Sequence, residues 1–211
     1  MTKEKIETRN GVYEFEPQQF AHGMKKIDRP VAEKNLLDFN RILKEQGLVG
    51  GLLYGTLLGA IREGRLIEHD EDVDIFFTEE SREDFLATLF LLKQEGFIVE
   101  RYLGDLISLR RDGEYIDVYF FRRVKFGMRQ CDQNILKARY LENLIEYEFL
   151  GDTFMIPGAY EEVLVKLYGK DWRIPRVDAP AENYTVYEKI RRFLMKKYPR
   201  VHQILAKLKS A

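Results

Sequence analysis

The sequence has little of what would place it outside ordinary globular proteins. There is one cysteine, Cys131, in 211 residues. An intrachain disulfide is therefore impossible, and a reducing, cytosolic setting is the expectation, with the inner face of a membrane as an alternative station. Three scattered histidines (His22, His69, His202) and that lone cysteine cannot build a Cys/His zinc cage. Any metal should be a hard ion held by oxygen. The longest uncharged stretch, Gln46 to Ile61, is sixteen residues with five glycines in it, shorter than the roughly 18 to 20 apolar residues of a bilayer span. The first ten residues alternate charges and lack the apolar stretch of a secretory signal. Six prolines are spread thinly, with no repeat and no low-complexity linker.

What is present is a sizeable aromatic complement, fourteen Phe and twelve Tyr, in a chain that is 45% hydrophobic and 33% charged. That composition buries a core and excludes disorder, collagen and coiled coil. The net charge of −1 hides an uneven distribution, because Lys189 to Ala211 holds eight Lys/Arg and no acid. A basic amphipathic tail of this kind fits either a solvated helix face or contact with an anionic membrane surface. Its aromatics do not interleave with a basic stripe, and no nucleic-acid partner is expected.

Periodicity predicts an arm over residues 1–29 with a strand at Val12 to Phe15, a main domain over 30–157, and a helical segment over 158–211 packed on it. Pro30 opens a helix whose Ala32, Leu36, Phe39 and Leu43 recur at helical spacing up to Gly47. Leu48 to Tyr54 reads as a buried strand, and Thr56 as the cap of a short helix to about Glu63. Asp72 to Phe77 is a strand with one wet end. Ser81 with Asp84 resembles a capping box for a helix through Gln94. Phe97 to Leu103, Leu106 to Arg110 and Tyr115 to Phe121 form a meander, and Leu144 to Leu150 with Thr153 to Ile156 a hairpin turning at Gly151-Asp152. Helices are expected at Ala159 to Tyr168 and Glu182 to Leu208. The class is α+β, a mixed β-sheet flanked by helices with a helical C-terminal segment.

Between Glu68 and Asp74 five carboxylates stand in seven residues with no Lys or Arg among them. Val73, Ile75, Phe76 and Phe77 place the last of these acids at the entry to a buried strand, where residues two apart share a face. Asp72 and Asp74 are therefore a ready ligand pair for a divalent cation. A third acid, Asp117, sits among apolar neighbours, where an isolated charge is costly. Either it joins the other two on one or two Mg²⁺ ions, or an arginine such as Arg110 or Arg111 satisfies it. Upstream, Tyr54-Gly55-Thr56 joins a strand to a helix start, a place where backbone N–H groups receive phosphate.

Gly55-Thr56-Leu57-Leu58-Gly59-Ala60-Ile61-Arg62, followed by Asp70-Glu71-Asp72-Val73-Asp74-Ile75 and then Asp117, resembles the LicD branch of the nucleotidyltransferase-fold superfamily, the phosphocholine transferases and fukutin-related proteins. Ile156-Pro157, Tyr160-Glu161, Leu164, Leu167-Tyr168-Gly169, Asp171-Trp172 and Pro175 resemble its carboxy-terminal signature. The resemblance implies a nucleotidyltransferase-like sheet and a Mg²⁺- or Mn²⁺-dependent transfer of a phospho-alcohol group from a CDP-activated donor to a glycan hydroxyl. Asp72, Asp74 and Asp117 would be the metal and catalytic acids, and Gly55, Thr56, Arg62 and His69 donor or acceptor contacts. Where the family usually carries Pro-Trp, this chain has Glu68-His69, which is similar to the His-Asp-Asp-x-Asp pattern of antibiotic nucleotidyltransferases. That feature keeps an NTP donor and a small hydroxyl-bearing acceptor as the alternative.

Overall fold

The computed structural model describes residues 3–18 and 26–175. The chain divides into two compact units, residues 1–164 and 165–211. The basic tail, the helix expected at Glu182 to Leu208, His22 and His202 lie outside the described residues.

The amino-terminal residues expected as an arm form a hairpin, β1 (Glu4–Thr8) with β2 (Gly11–Phe15). Its alternation turns Ile6, Tyr13 and Phe15 inward, all three buried. Helix α1 (Arg29–Glu45) starts where Asp28 accepts from the Val31 amide with Pro30 in the first turn. Its buried stripe, Ala32, Leu36, Phe39 and Leu43, is the one the spacing predicts, with Asn35 and Ile42 added.

β3 is only Gly51–Leu52, much shorter than the strand expected from Leu48 to Tyr54. It leads into α2 (Tyr54–Glu63), and β4 (Val73–Thr78) follows. The single helix predicted from Ser81 to Gln94 is a 3₁₀ turn (Glu79–Ser81) and two short helices, α3 (Arg82–Ala87) and α4 (Leu89–Gln94). Ser81 makes no capping bond. The break is at Thr88, whose hydroxyl donates to Phe85 O at 2.7 Å, while Asn10 donates to Ala87 O at 2.9 Å. The meander appears as β5 (Ile98–Tyr102), β6 (Leu106–Arg111) and β7 (Glu114–Val124). β8 (Met128–Cys131), β9 (Asn134–Lys137) and α5 (Ala138–Glu142) follow, none of them predicted. β10 (Leu144–Phe149) and β11 (Asp152–Pro157) make the expected hairpin, but its turn residues are Leu150 and Gly151, at φ 54° and 79°. Helix α6 (Tyr160–Tyr168) ends at Gly169, φ 92°.

The main sheet has the order β10-β11-β3-β4-β7-β6-β5, with β8 and β9 continuing from the far half of β7. β4 and β7 are parallel, as are β11 and β3; the other pairs are antiparallel. On one face Phe77 and Phe120 pack with Phe85 of α3, at ring centroid distances of 5.2 and 5.5 Å, and Phe39 of α1 meets Phe97 at 5.5 Å. This aromatic layer leaves Asp74 and Asp117 to the other face, by alternation along the same strands.

Helix α2 sits close to its own return loop at Gly59, where a Cβ would lie 2.6 Å from Arg65 O and 3.2 Å from Ile67 Cγ1. Backbone cannot step aside as a flexible side chain does. Gly59→Ala is expected to destabilise by about 1–3 kcal/mol, read as a lower urea midpoint at unchanged slope.

Candidate active site

The site is built on the turn from β3 into α2 and on the first residues of β4. Leu53 is extended, and Tyr54 then takes φ 43°, a left-handed conformation that an aromatic residue rarely adopts. This sharp turn aims the start of α2 at β4. The Gly55 amide donates to Asp74 Oδ2 at 3.0 Å, and the Asp74 amide donates to Thr56 Oγ1 at 2.8 Å. A helix N-terminus whose amides lack intrahelical partners thus takes a carboxylate as acceptor, with the helix dipole in its favour. Thr56, expected as the helix cap, makes no capping bond. Its hydroxyl is the acceptor that pins Asp74 instead.

Glycine at 55 has a steric cause. A Cβ there would lie 1.8 Å from Asp70 Oδ2, so the missing side chain is the room that the Asp70 carboxylate occupies. Asp70 Oδ1 accepts from the Glu71 amide at 3.1 Å. The sequence reading gave this space to a donor phosphate; in the structure a carboxylate fills it.

Asp74 and Asp117 are register partners on parallel β4 and β7. Both are buried, at 5% and 2% exposure, and they share a face. Asp72 precedes β4 and is close enough that Asp117 acts on it and that it acts on Asp74. The consequences are electrostatic. Burial, then the negative charges of Asp117, Asp70 and Glu71, push the Asp72 carboxyl up to about 8, with Arg101 pulling the other way. Burial raises Asp74 well above the carboxylate range, with Asp72, Asp70 and Asp117 adding to it and the Tyr119 hydroxyl opposing. Burial also lifts Asp70 to about 6. The Tyr119 phenol is raised by burial and by the three aspartates; it sits 3.5 Å from Asp117 Oδ2, and its ring meets Tyr54 edge-on at 5.1 Å.

The arginine on Asp117 is neither Arg110 nor Arg111. Arg110 Nε donates to Glu100 at 2.6 Å, and Arg111 pairs with Asp38 at 2.7 Å. Arg101 takes that place, donating to Asp117 Oδ2 at 2.7 Å and to Ser108 Oγ at 2.9 Å. Arg101, Ser108, Tyr119 and the strained Tyr54 were not singled out from the sequence. Only knowledge of the β5–β6–β7 register makes the first two legible.

Two expected contacts stand apart. Arg62 is in the last turn of α2, seven residues beyond Gly55 and so about 10 Å along the axis, with its guanidinium on Glu63 Oε1 at 2.6 and 3.2 Å. His69 is exposed on the loop before Asp70. Among the described residues, no group of three His, Cys, Asp or Glu side chains is disposed to hold a metal ion. The donor set of Asp72 and Asp74 nevertheless fits a hard divalent cation. Burial first, and then neighbouring negative charge, raises both carboxyls, and an oxygen-seeking cation offsets both.

Residues 51–159 match the family described as LicD/FKTN/FKRP, nucleotidyltransferase domain. The chain belongs to this family. It is accordingly an enzyme of the nucleotidyltransferase and phosphotransferase superfamily, and its helix-flanked mixed sheet is the nucleotidyltransferase-like fold expected of a LicD/FKTN/FKRP domain. The matched segment runs from β3 to the residue before α6 and contains Gly55, Asp72, Asp74 and Asp117. No curated protein matches the chain. Among solved structures it is similar to ANT(2")-Ia in complex with adenylyl-2"-tobramycin, at 18% identity and TM-score 0.48, covering 85% of this chain and 98% of that one. A solution structure of ANT(2'')-Ia gives 16% and 0.49, covering 86% and 93%. The lincomycin-bound lincosamide antibiotic adenylyltransferase LnuA gives 11% and 0.47, covering 79% and 94%. Among the described residues no helix is long and apolar enough to cross a membrane.

Proposed function

We propose that the chain moves a phosphorus-bearing group from a nucleotide donor to an acceptor hydroxyl, at the face where Asp74 and Asp117 meet. One observation supports this: Asp74 and Asp117 are buried register partners on β4 and β7, with Asp72 just before β4 and the Gly55 amide, at the start of α2, bonded to Asp74. Phosphoryl and nucleotidyl transfer ask chiefly for positioning and for neutralisation of charge on phosphate oxygens. Asp72 and Asp74 would hold Mg²⁺ or Mn²⁺, which when bound supplies that neutralisation and orients the donor. The Gly55 amide fixes the carboxylate of Asp74, and the Thr56 hydroxyl holds its main-chain amide. Asp117, next to Asp74 across the strand pair, accepts the proton of the attacking hydroxyl. The bond formed is hydroxyl oxygen to phosphorus, and the bond broken is phosphorus to the leaving phosphate oxygen.

Two donors satisfy this attack and differ in which phosphorus is attacked: the α-phosphorus of an NTP, with pyrophosphate leaving, or the alcohol-bearing phosphorus of a CDP-alcohol, with CMP leaving. The Glu68-His69-Asp70 approach to the acidic run favours an NTP, with a nucleoside monophosphate passed to a small hydroxyl-bearing compound. Membership of the LicD branch favours a CDP-alcohol, with phosphocholine or a polyol phosphate passed to a glycan or its precursor. Incubation with Mg²⁺, hydroxyl acceptors and either CTP or ATP, or CDP-choline, CDP-ribitol or CDP-glycerol, separates them. Pyrophosphate release marks the first and CMP release the second. Neither product from any pair would refute the proposal, and a thermal shift with each donor identifies which is bound.

A further inference from the structure

Four neighbouring strands carry one row of polar side chains into the site. Arg101 of β5 faces Ser108 of β6, Ser108 faces Asp117 of β7, and Asp117 faces Asp74 of β4. Ser108, Asp117 and Asp74 are all buried, and the Arg101 side chain is 15% exposed. The guanidinium lies along the row, with Nε on Ser108 and a terminal nitrogen on Asp117.

Arg101 reaches this place through an irregularity. The β5–β6 register runs from Val99↔Leu109 to Arg101↔Ser108, so Glu100 is an extra residue, a bulge that re-aims the side chains after it. In a regular register Glu100 would oppose Ser108, and another carboxylate would enter a cluster that already holds Asp70, Asp72, Asp74 and Asp117. The bulge exchanges that acid for a base and leaves Glu100 to Arg110 and the Tyr115 hydroxyl, at 2.6 and 3.1 Å.

We infer that Arg101 stands where a second metal ion would, compensating Asp117, so that the site takes a single divalent ion on Asp72 and Asp74. This rests on the metal-dependent reading above and fixes its stoichiometry. Two independent features support it: one oxygen of Asp117 is committed to a buried guanidinium held on its other side by Ser108, and the three aspartates are not disposed as a joint cage. Arg101 is then a positioning residue that sets the metal count.

The test is Mn²⁺ alone, without nucleotide, titrated into the purified chain and followed by the electron paramagnetic resonance of free Mn²⁺. The expected results are one Mn²⁺ per chain for the wild type, still one for Asp117→Asn, and two for Arg101→Gln, in which Asp117 is released to ligate. Two ions in the wild type, or loss of binding in Asp117→Asn, overturns the inference while leaving a metal site in place. Arg101→Gln that is folded by circular dichroism and still binds one ion also overturns it. If Arg101→Gln does not fold, the wild-type and Asp117→Asn titrations decide by themselves. No Mn²⁺ binding to the wild type overturns both this inference and the metal-dependent reading beneath it.

Discussion

Asp74→Asn is expected to lower product formation by on the order of a thousandfold, because in the proposed metal-dependent reaction losing a ligand to the cation removes several kcal/mol of transition-state charge stabilisation at about 1.4 kcal/mol per decade. Asparagine keeps an oxygen that can accept from the Gly55 amide, and the main-chain amide still reaches Thr56, so the fold should survive. The loss should therefore appear in kcat/KM at unchanged circular dichroism. A folded Asp74→Asn chain that kept more than a tenth of wild-type activity would show that Asp74 serves packing alone.

Asp72→Asn is expected to do the opposite to stability. The folded chain holds the Asp72 carboxyl at about 8 against an ordinary 3.8. Between those values the folded state keeps a proton that the unfolded state has released. The sign follows from linkage: a carboxyl raised on folding is neutral to stability below pH 3.8, and destabilises progressively as pH climbs toward 8. Asp70 and Asp74 are raised as well and act the same way. The carboxyls held low, those of Asp38, Glu80 and Asp152, have the reverse sign but exert it at the acid end of the scale. The metal-free wild type should therefore melt lower at pH 8 than at pH 5. Two pH units of that interval amount to about 3 kcal/mol, or roughly 5–10 °C for a domain of this size. Asp72→Asn should flatten the profile and exceed the wild type in Tm at pH 8, while Mg²⁺ should raise the wild type alone. Parallel pH profiles for the two proteins in scanning calorimetry would remove the argument. The carboxylate proposed to hold the cation is thus one whose removal stabilises the metal-free fold.

Much of this was legible in the sequence because it rests on periodicity or on unscreened charge. The 3.6-residue recurrence of Ala32, Leu36, Phe39 and Leu43 finds α1, and the apolar run around Asp117 finds β7. The acids at 70, 72 and 74 announce a site because no base accompanies them. Other features were hidden where tertiary contacts replace local rules. The glycines at 50 and 51 read as loosening β3, whereas the rings of Phe77 and Phe76 lie where their Cβ atoms would be. β8 escaped notice because Arg129 reads as a surface residue, whereas it is 2% exposed and bonded to Glu80, Glu142 and Phe121 O. Arg101 was missed for a similar reason: a bulge follows from pairing between strands, and no window of sequence contains it.

The contact between positions 55 and 70 has a consequence for how such chains diverge. Because a carboxylate occupies the volume of the absent Cβ, position 55 is tied to position 70. A descendant that gains a side chain at 55 must first have given up its acid at 70 or turned it aside, whereas the acid can be exchanged while glycine stays. The order of change is therefore one-way.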